Sequence, residues 1–309
     1  MLLLINLAYA ECDQLILTHE NTTLKQKTIS PTKTQLCASK PTAWSYNGFA
    51  ICGDNPTCTI PTDLLKDANY HHRSTDTQIG SIEITTEHKM PIRLEQLGCS
   101  DNHFENTCLK KGSKLPLFGL NMLTHSAEYF SWREAMENQL ASSYIISYIG
   151  SWCAPCRIGA PILDRLDRDS PYTMTLFFAC NEKSDDDVIA LKKELNLSSR
   201  IFVVRGNLAQ RHGIVDKEGN GTFPTTLVVN HQGRIEEIYS EEGDPQVFSF
   251  VLEEQLNALD ESAPEDLLQK LDRLEASPAA QQITTPAVEK TSQSSPVESK
   301  SKKRKRKQK

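Results

Sequence analysis

The chain is 309 residues long, 38% hydrophobic and 24% charged, which allows one large or two ordinary domains with a sizeable core. Its net charge of −6 conceals eight Lys or Arg and no acid at positions 300–309, so the remainder carries −14. That acidic body offers no basis for binding nucleic acid or an anionic membrane surface, and no stretch reaches the roughly 18–20 apolar residues of a membrane-spanning helix.

The first ten residues, Met-Leu-Leu-Leu-Ile-Asn-Leu-Ala-Tyr-Ala, end in the small-x-small pattern of a signal-peptidase site after Ala10. They lack a positively charged start and fall short of the usual ~15–30 residues. The export reading takes them as a signal whose start lies further upstream. The alternative makes residues 2–9 a buried first strand of a cytosolic protein. Glu11 stands where lipid attachment to Cys12 would need a small residue.

Residues 11–112 form a Cys-rich, β-rich domain of unassigned purpose. Six of the nine cysteines lie here: Cys12, Cys37, Cys52, Cys58, Cys99 and Cys108. An even number in a polar, loop-rich stretch points to disulfides and an oxidising, extracytoplasmic compartment, the periplasm or its equivalent. Six cysteines allow about 15 pairings, and nearest neighbours give Cys52–Cys58 and Cys99–Cys108. Zinc is disfavoured because no Cys-x2-Cys pair occurs in this region. The runs 79–86 and 91–97 read as strands, His71 and His72 as a solvated pair, and Trp44, like Trp132 further on, as a packing residue.

Residues 113–260 alternate strand and helix patterns, as in a layered α/β domain. Ser143–Ile149 is a continuous apolar run suited to a central strand. After Cys153, residues Ile158, Ile162, Leu163 and Leu166 recur at helical spacing. Thr173–Ala179 is the next strand, ended by Cys180, a buried inert thiol. Ser184 and three aspartates open a helix with Val188, Leu191 and Leu195 on one face. A short strand at 201–204 precedes a hairpin of 225–229 and 234–239. A last helix turns Val247, Val251, Leu252, Leu256 and Leu259 inward. From 261 to 309 the composition predicts a disordered tail, except for a leucine face at 267, 268, 271 and 274.

The chemistry concentrates at Trp152-Cys153-Ala154-Pro155-Cys156-Arg157. Disulfide exchange needs an attacking thiolate and a second thiol that releases the mixed disulfide. Two intervening residues at a helix start bring the sulfurs within bonding reach, with the first expected to be exposed and the second buried. Cys153 at the helix N-terminus gains from unpaired N–H groups and the helix dipole, which lower a thiol pKa. Pro155 suits the first turn, and Arg157 adds positive charge. The rival zinc half-site lacks its second half. Farther on, Phe223-Pro224-Thr225-Thr226 places a proline at a strand entry.

Together with Leu115-Pro-Leu-Phe-Gly-Leu and Pro161, these motifs make residues 113–260 resemble the thioredoxin superfamily, and within it the exported TlpA/ResA/DsbE-like branch. The resemblance implies a central mixed sheet flanked by helices, with a cis Pro224 beside the dithiol. It implies Cys153 as nucleophile, Cys156 as resolving thiol, and Trp152, Phe223 and Pro224 lining a substrate groove. No bound cofactor or metal is implied. The partners are protein thiols and disulfides, apocytochrome c cysteines among the substrate classes, and an electron donor of unassigned identity. Two departures stand out: Ser147 occupies the place of thioredoxin's buried aspartate, and Gly159 that of a glutamate common in the exported branch, so the proton acceptor is unassigned. The basic run Lys302–Lys307 reads as a solvated tail able to touch anionic envelope surfaces. The competing class is a partner-binding scaffold whose thioredoxin domain is secondary.

Overall fold

The computed structural model describes residues 12–19, 22–73, 80–97, 109–121, 129–205, 208–216, 218–241 and 243–275. The export signal at 1–10, the Cys99–Cys108 pairing and the basic tail lie outside the described residues.

The N-terminal region is built from strands, as its composition predicts. β1 (Gln14–His19), β2 (Thr22–Ser30), β3 (Lys33–Ala38), β4 (Thr42–Tyr46), β5 (Phe49–Ile51), β6 (Thr57–Pro61), β7 (Asn69–Arg73) and β8 (Gly80–Thr85) follow in order. They form two sheets, β1-β2-β3-β6 and β5-β4-β8-β7. Alternation sets the inner faces. Trp44 and Tyr46 of β4, Ile60 of β6, and Ile82 and Ile84 of β8 are buried and pack in one core with Leu24 and Leu36. β4 and β5 are joined at Asn47-Gly48, both with positive φ (46° and 85°), the backbone that a two-residue hairpin turn requires. Among the described residues two disulfides staple the region: Cys52–Cys58, as neighbour spacing predicts, and Cys12–Cys37.

The α/β region begins before residue 113. β9 (Ile92–Arg93) pairs with the last strand of the second half and so becomes the edge of its sheet. Then come β10 (Gly119–Asn121), β11 (Tyr129–Ser131), α1 (Trp132–Glu137), β12 (Ser143–Ile149), α2 (Ala154–Asp169), β13 (Thr173–Ala179), α3 (Asp185–Glu194), β14 (Arg200–Val203), α4 (Leu208–Arg211), β15 (Thr225–Asn230), β16 (Ile235–Glu241), α5 (Pro245–Ser262) and α6 (Glu265–Glu275). The sheet order is β14-β13-β12-β15-β16-β9. β12, β13 and β14 run parallel, and β15 and β16 return antiparallel. Every residue of β12 is buried, which is why its sequence is a continuous run and not an alternation.

The period of two divides the core. Ile145 and Ile149 face the side covered by α2 and α5, together with Cys153, Cys156, Leu163 and Phe248. Tyr144, Ile146 and Tyr148 face the other side, with Trp132, Phe178 and Leu208. Helix starts follow the predicted chemistry. The Ser184 side chain accepts from Asp187 N ahead of α3, and Asp244 accepts from Gln246 N and Val247 N ahead of α5.

The N-terminal sheets pack onto α5 across the boundary placed at 112. The Tyr46 and Phe250 rings meet edge-on at 6.4 Å, and Cys52 N donates to Glu254 Oε2 at 3.1 Å. The chain does not lose its structure at 261: α5 runs to Ser262, and the leucine face excepted from the tail lies on α6. Leu267 and Leu271 of α6 are 1% and 5% exposed, Tyr172 Oη donates to Asp272 Oδ1 at 2.8 Å, and Lys270 Nζ donates to Asn138 O. Composition averaged over 261–309 is polar, and only the spacing of these leucines marks the short amphipathic helix within it.

Candidate active site

Buried β12 ends at Ile149, and the chain turns through Gly150, Ser151 and Trp152 into α2. Cys153 is the N-cap of that helix, with φ −87° and ψ 109°, and its Sγ accepts the Cys156 N–H at 3.2 Å. The sulfur therefore occupies the anion-favouring end of the helix, with Pro155 in the first turn where no N–H is missed. Cys153 and Cys156 are joined as a disulfide, Cα–Cα 5.3 Å.

The leading cysteine was expected to be exposed and the second buried. In this oxidised form Cys153 is 4% and Cys156 1% exposed. The bond draws the Cys153 sulfur in toward Cys156, so both belong to the core under α2. What does reach solvent is the rim: Trp152 is 57% exposed, and its ring meets Phe223 edge-on at 5.3 Å.

The Phe223–Pro224 peptide is cis, as the family resemblance implies. Thr225 then enters β15, which pairs with β12. Phe223, Pro224 and Pro155 line a cavity of about 420 Å³ beside the dithiol. Sequence reasoning missed its other walls. Ile158, which recurs at helical spacing with Ile162, Leu163 and Leu166, is 58% exposed and lines this cavity. Ser240, Gly243 and Pro245 close it from the end of β16 and the start of α5. Those three carry no motif; only the fold brings them there.

A polar clamp holds the loop before Cys153. Glu182 accepts from Ser151 N at 2.6 Å and from Ser151 Oγ at 2.5 Å. Arg157 Nη2 donates to Ser151 O at 3.1 Å, while its Nη1 pairs with Glu194 Oε1 at 2.6 Å. The positive charge expected of Arg157 is thus shared with an acid in an exposed pair, which leaves little of it for the dithiol. Glu182 was not singled out from the sequence, because nothing local ties it to a site 30 residues earlier.

No acid stands at either expected relay position. Ser147 Oγ meets Thr226 Oγ1 at 3.0 Å on the α2 side of the sheet, and Gly159 is buried in α2. Cys180 is buried and free, and burial pushes its thiol up to about 12, with Glu182 adding to the shift. It packs on the opposite face from the dithiol, beside Tyr148. His71 is exposed, and His72 Nδ1 lies 3.2 Å from His19 Nδ1. Among the described residues no group of three or more His, Cys, Asp or Glu is arranged to hold a metal, and no helix is long and apolar enough to cross a membrane.

No protein-family model and no curated protein matches the chain. Solved structures do resemble it. A secreted thiol-disulfide isomerase from Corynebacterium glutamicum aligns over 55% of this chain and 99% of its own, at 18% identity and a TM-score of 0.41. A DsbF homologue from Corynebacterium diphtheriae aligns over 50% and 99%, at 17% identity and a TM-score of 0.38. A thioredoxin-family thiol:disulfide interchange protein from Chlorobium tepidum aligns over 46% and 95%, at 18% identity and a TM-score of 0.38. What makes this half of the chain a thioredoxin fold is its own architecture: the β12-α2-β13 crossover, the antiparallel β15-β16 pair and the cis-proline beside the dithiol.

Proposed function

We propose that the protein is a thiol–disulfide oxidoreductase acting on protein thiols and disulfides in an oxidising, extracytoplasmic compartment. The observation that carries this reading is the Cys153–Cys156 disulfide at the N-terminus of α2, flanked by an apolar cavity and a cis-proline. In the reduced protein, the Cys153 thiolate attacks a substrate disulfide and forms a mixed disulfide. Cys156 then attacks Cys153 Sγ, which releases the substrate as a thiol and leaves the bond seen here. The same steps run in reverse when the oxidised pair accepts electrons from a substrate dithiol.

The cavity suits an extended segment with an apolar residue near its cysteine, because its walls are proline, isoleucine and phenylalanine with Thr222 and Ser240 as polar points. Apocytochrome c, whose cysteines must be reduced before haem attachment, is one substrate class of this kind. The disulfides Cys12–Cys37 and Cys52–Cys58 support the compartment, since such bonds persist where thiols are not kept reduced. Reduction of insulin by dithiothreitol, with and without the purified protein, tests the reading. Catalysis should be clear for the native chain and lost in Cys153→Ser. A native chain no faster than that variant would leave the partner-binding scaffold as the better reading.

A further inference from the structure

The Cys52–Cys58 bond joins the two N-terminal sheets: Cys58 lies in β6, and Cys52 directly follows β5. Its surroundings differ from those of the neighbouring Cys12–Cys37 bond, whose two residues are both buried. Cys58 is buried, but Cys52 is partly exposed and forms part of the wall of a cavity of about 510 Å³ between the N-terminal sheets and α5. Gly53, Asn55 and Thr57 continue that wall, and Glu254 and Glu261 of α5 face them.

The backbone at Cys52 is also unusual. Its φ is +56°, followed by Gly53 at +56°. A residue with a Cβ is disfavoured in this left-handed region. The bond to Cys58 holds it there, with Cys52 N donating to Glu254 Oε2 at 3.1 Å and Asn55 Nδ2 donating to Cys52 O at 2.8 Å. Opening the bond would let Cys52 relax, and an accessible disulfide held by a strained backbone is more easily reduced than a buried, relaxed one.

We propose that Cys52–Cys58 is a second redox site, separate from the Cys153–Cys156 dithiol, that takes electrons from neutral or cationic thiols entering the α5 cavity. An incoming thiolate bonds to Cys52 Sγ as the Cys52–Cys58 bond breaks, and Cys58 leaves as a thiolate. A second external thiolate attacks the external sulfur of the mixed disulfide and frees Cys52. The two external thiols depart as one disulfide, and their two protons end on Cys52 and Cys58. Selection among thiols comes from charge. Glu237, Glu254 and Glu261 line the cavity against one arginine, Arg93, whose guanidinium lies 4.1 Å over the Phe49 ring. Glu237 is engaged by Lys111, so the carboxylate held against the Cys52 backbone is that of Glu254. An anionic thiol is repelled on approach.

The site does not rest on the oxidoreductase function, and its test removes that chemistry. The full chain carrying Cys153→Ser and Cys156→Ser is exposed to dithiothreitol, to cationic cysteamine or to anionic 2-mercaptoethanesulfonate. Released thiols are alkylated and located by mass spectrometry while near-ultraviolet dichroism follows the fold. Cys52 and Cys58 should be labelled while Cys12 and Cys37 remain bonded and the fold persists. At equal thiolate concentration cysteamine should act faster than the anionic thiol, and Glu254→Gln or high salt should narrow the difference. The same labelling of the native chain supplies the answer if the double variant does not fold. Survival of Cys52–Cys58 for as long as Cys12–Cys37, its opening only on global unfolding, or equal rates for the two charged thiols would overturn the proposal.

Discussion

Ser147 Oγ and Thr226 Oγ1 lie 3.0 Å apart, both fully buried, on the face of the sheet that α2 covers. Adjacent strands β12 and β15 bring them together, since the register pairs Ser147 with Thr226 directly. A pair of hydroxyls is neutral throughout the working pH range, so this pair supplies no carboxylate to move a proton to or from Cys156. Exchange of that proton must use another route.

That pair makes a stability prediction with a built-in control. Ser147→Ala leaves the Thr226 hydroxyl buried without its partner and should cost about 1–3 kcal/mol. Ser147→Ala combined with Thr226→Val removes both polar groups and should recover most of the loss. Urea unfolding measures both. The pH dependence of insulin reduction should be the same in all three proteins, and a limb that vanishes with Ser147 would show that the pair does carry the proton.

The order of attack proposed for the dithiol rests on the helix cap. Cys153 receives the Cys156 N–H and caps α2, whereas Cys156 sits inside the first turn. Once reduced, Cys153 is the sulfur better held as a thiolate. Cys156→Ser should accumulate mixed disulfides with substrate proteins, visible on non-reducing gels, and Cys153→Ser should not. Equal trapping by both would reverse the assignment.

The parts of this site that were legible in the sequence are those whose chemistry is local. The cysteine spacing, the buried run of β12, the proline at the entry to β15 and the cap at Ser184 each depend on residues within a few positions. The role of Ile158 was not legible, because helical periodicity identifies an apolar residue without saying whether the sheet or a cavity receives it. β9 lies in the run 91–97 read as a strand, but the two residues that pair are too few to say which sheet they join. Ser240, Gly243 and Pro245 line the cavity only because the end of β16 and the start of α5 meet there. The Cys12–Cys37 bond was one of many pairings, and no spacing encodes how the residues before β1 come to lie against β3.

His212 was invisible for the same reason. It is fully buried, its Nδ1 pairs with Tyr148 Oη, and its Nε2 has no hydrogen-bond partner. Burial pulls its pKa from 6.5 down to about 4, with Arg211 adding to the shift. The unfolded chain therefore takes up this proton at higher pH than the folded chain. The stabilisation is complete above about pH 6.5 and is lost as the pH falls toward 4, in total about 3 kcal/mol. His212→Asn keeps a group able to pair with Tyr148 but cannot titrate. Its stability should fall less steeply between pH 6.5 and 4 than that of the native chain, as followed by urea unfolding at a series of pH values. Parallel curves would show that His212 does not report this transition.

The last prediction separates two truncations that composition alone would treat alike. Removing 276–309 takes away residues rich in Ser, Pro, Gln and Lys, which can bury little apolar surface. It should leave insulin reduction and thermal stability near those of the full chain, while lowering any salt-sensitive attachment to anionic vesicles that the basic run contributes. Removing 261–309 also deletes α6, and with it the buried Leu267 and Leu271 and the Tyr172–Asp272 hydrogen bond. Burial of two leucines is worth about 3–6 kcal/mol, a large share of a typical domain's stability. This second truncation also removes Glu261 and Ser262, the last two residues of α5, so a parallel Leu267→Ala/Leu271→Ala variant isolates the effect of α6. Both should melt several degrees below the full chain. α6 packs near Asn138 and Tyr172, and Tyr172 lies just before β13, at the opposite end of the strands from the dithiol. Well below the melting point, the reductase rate of the leucine variant should therefore stay close to native. Unchanged melting in both would show that the helix is not part of the folded core.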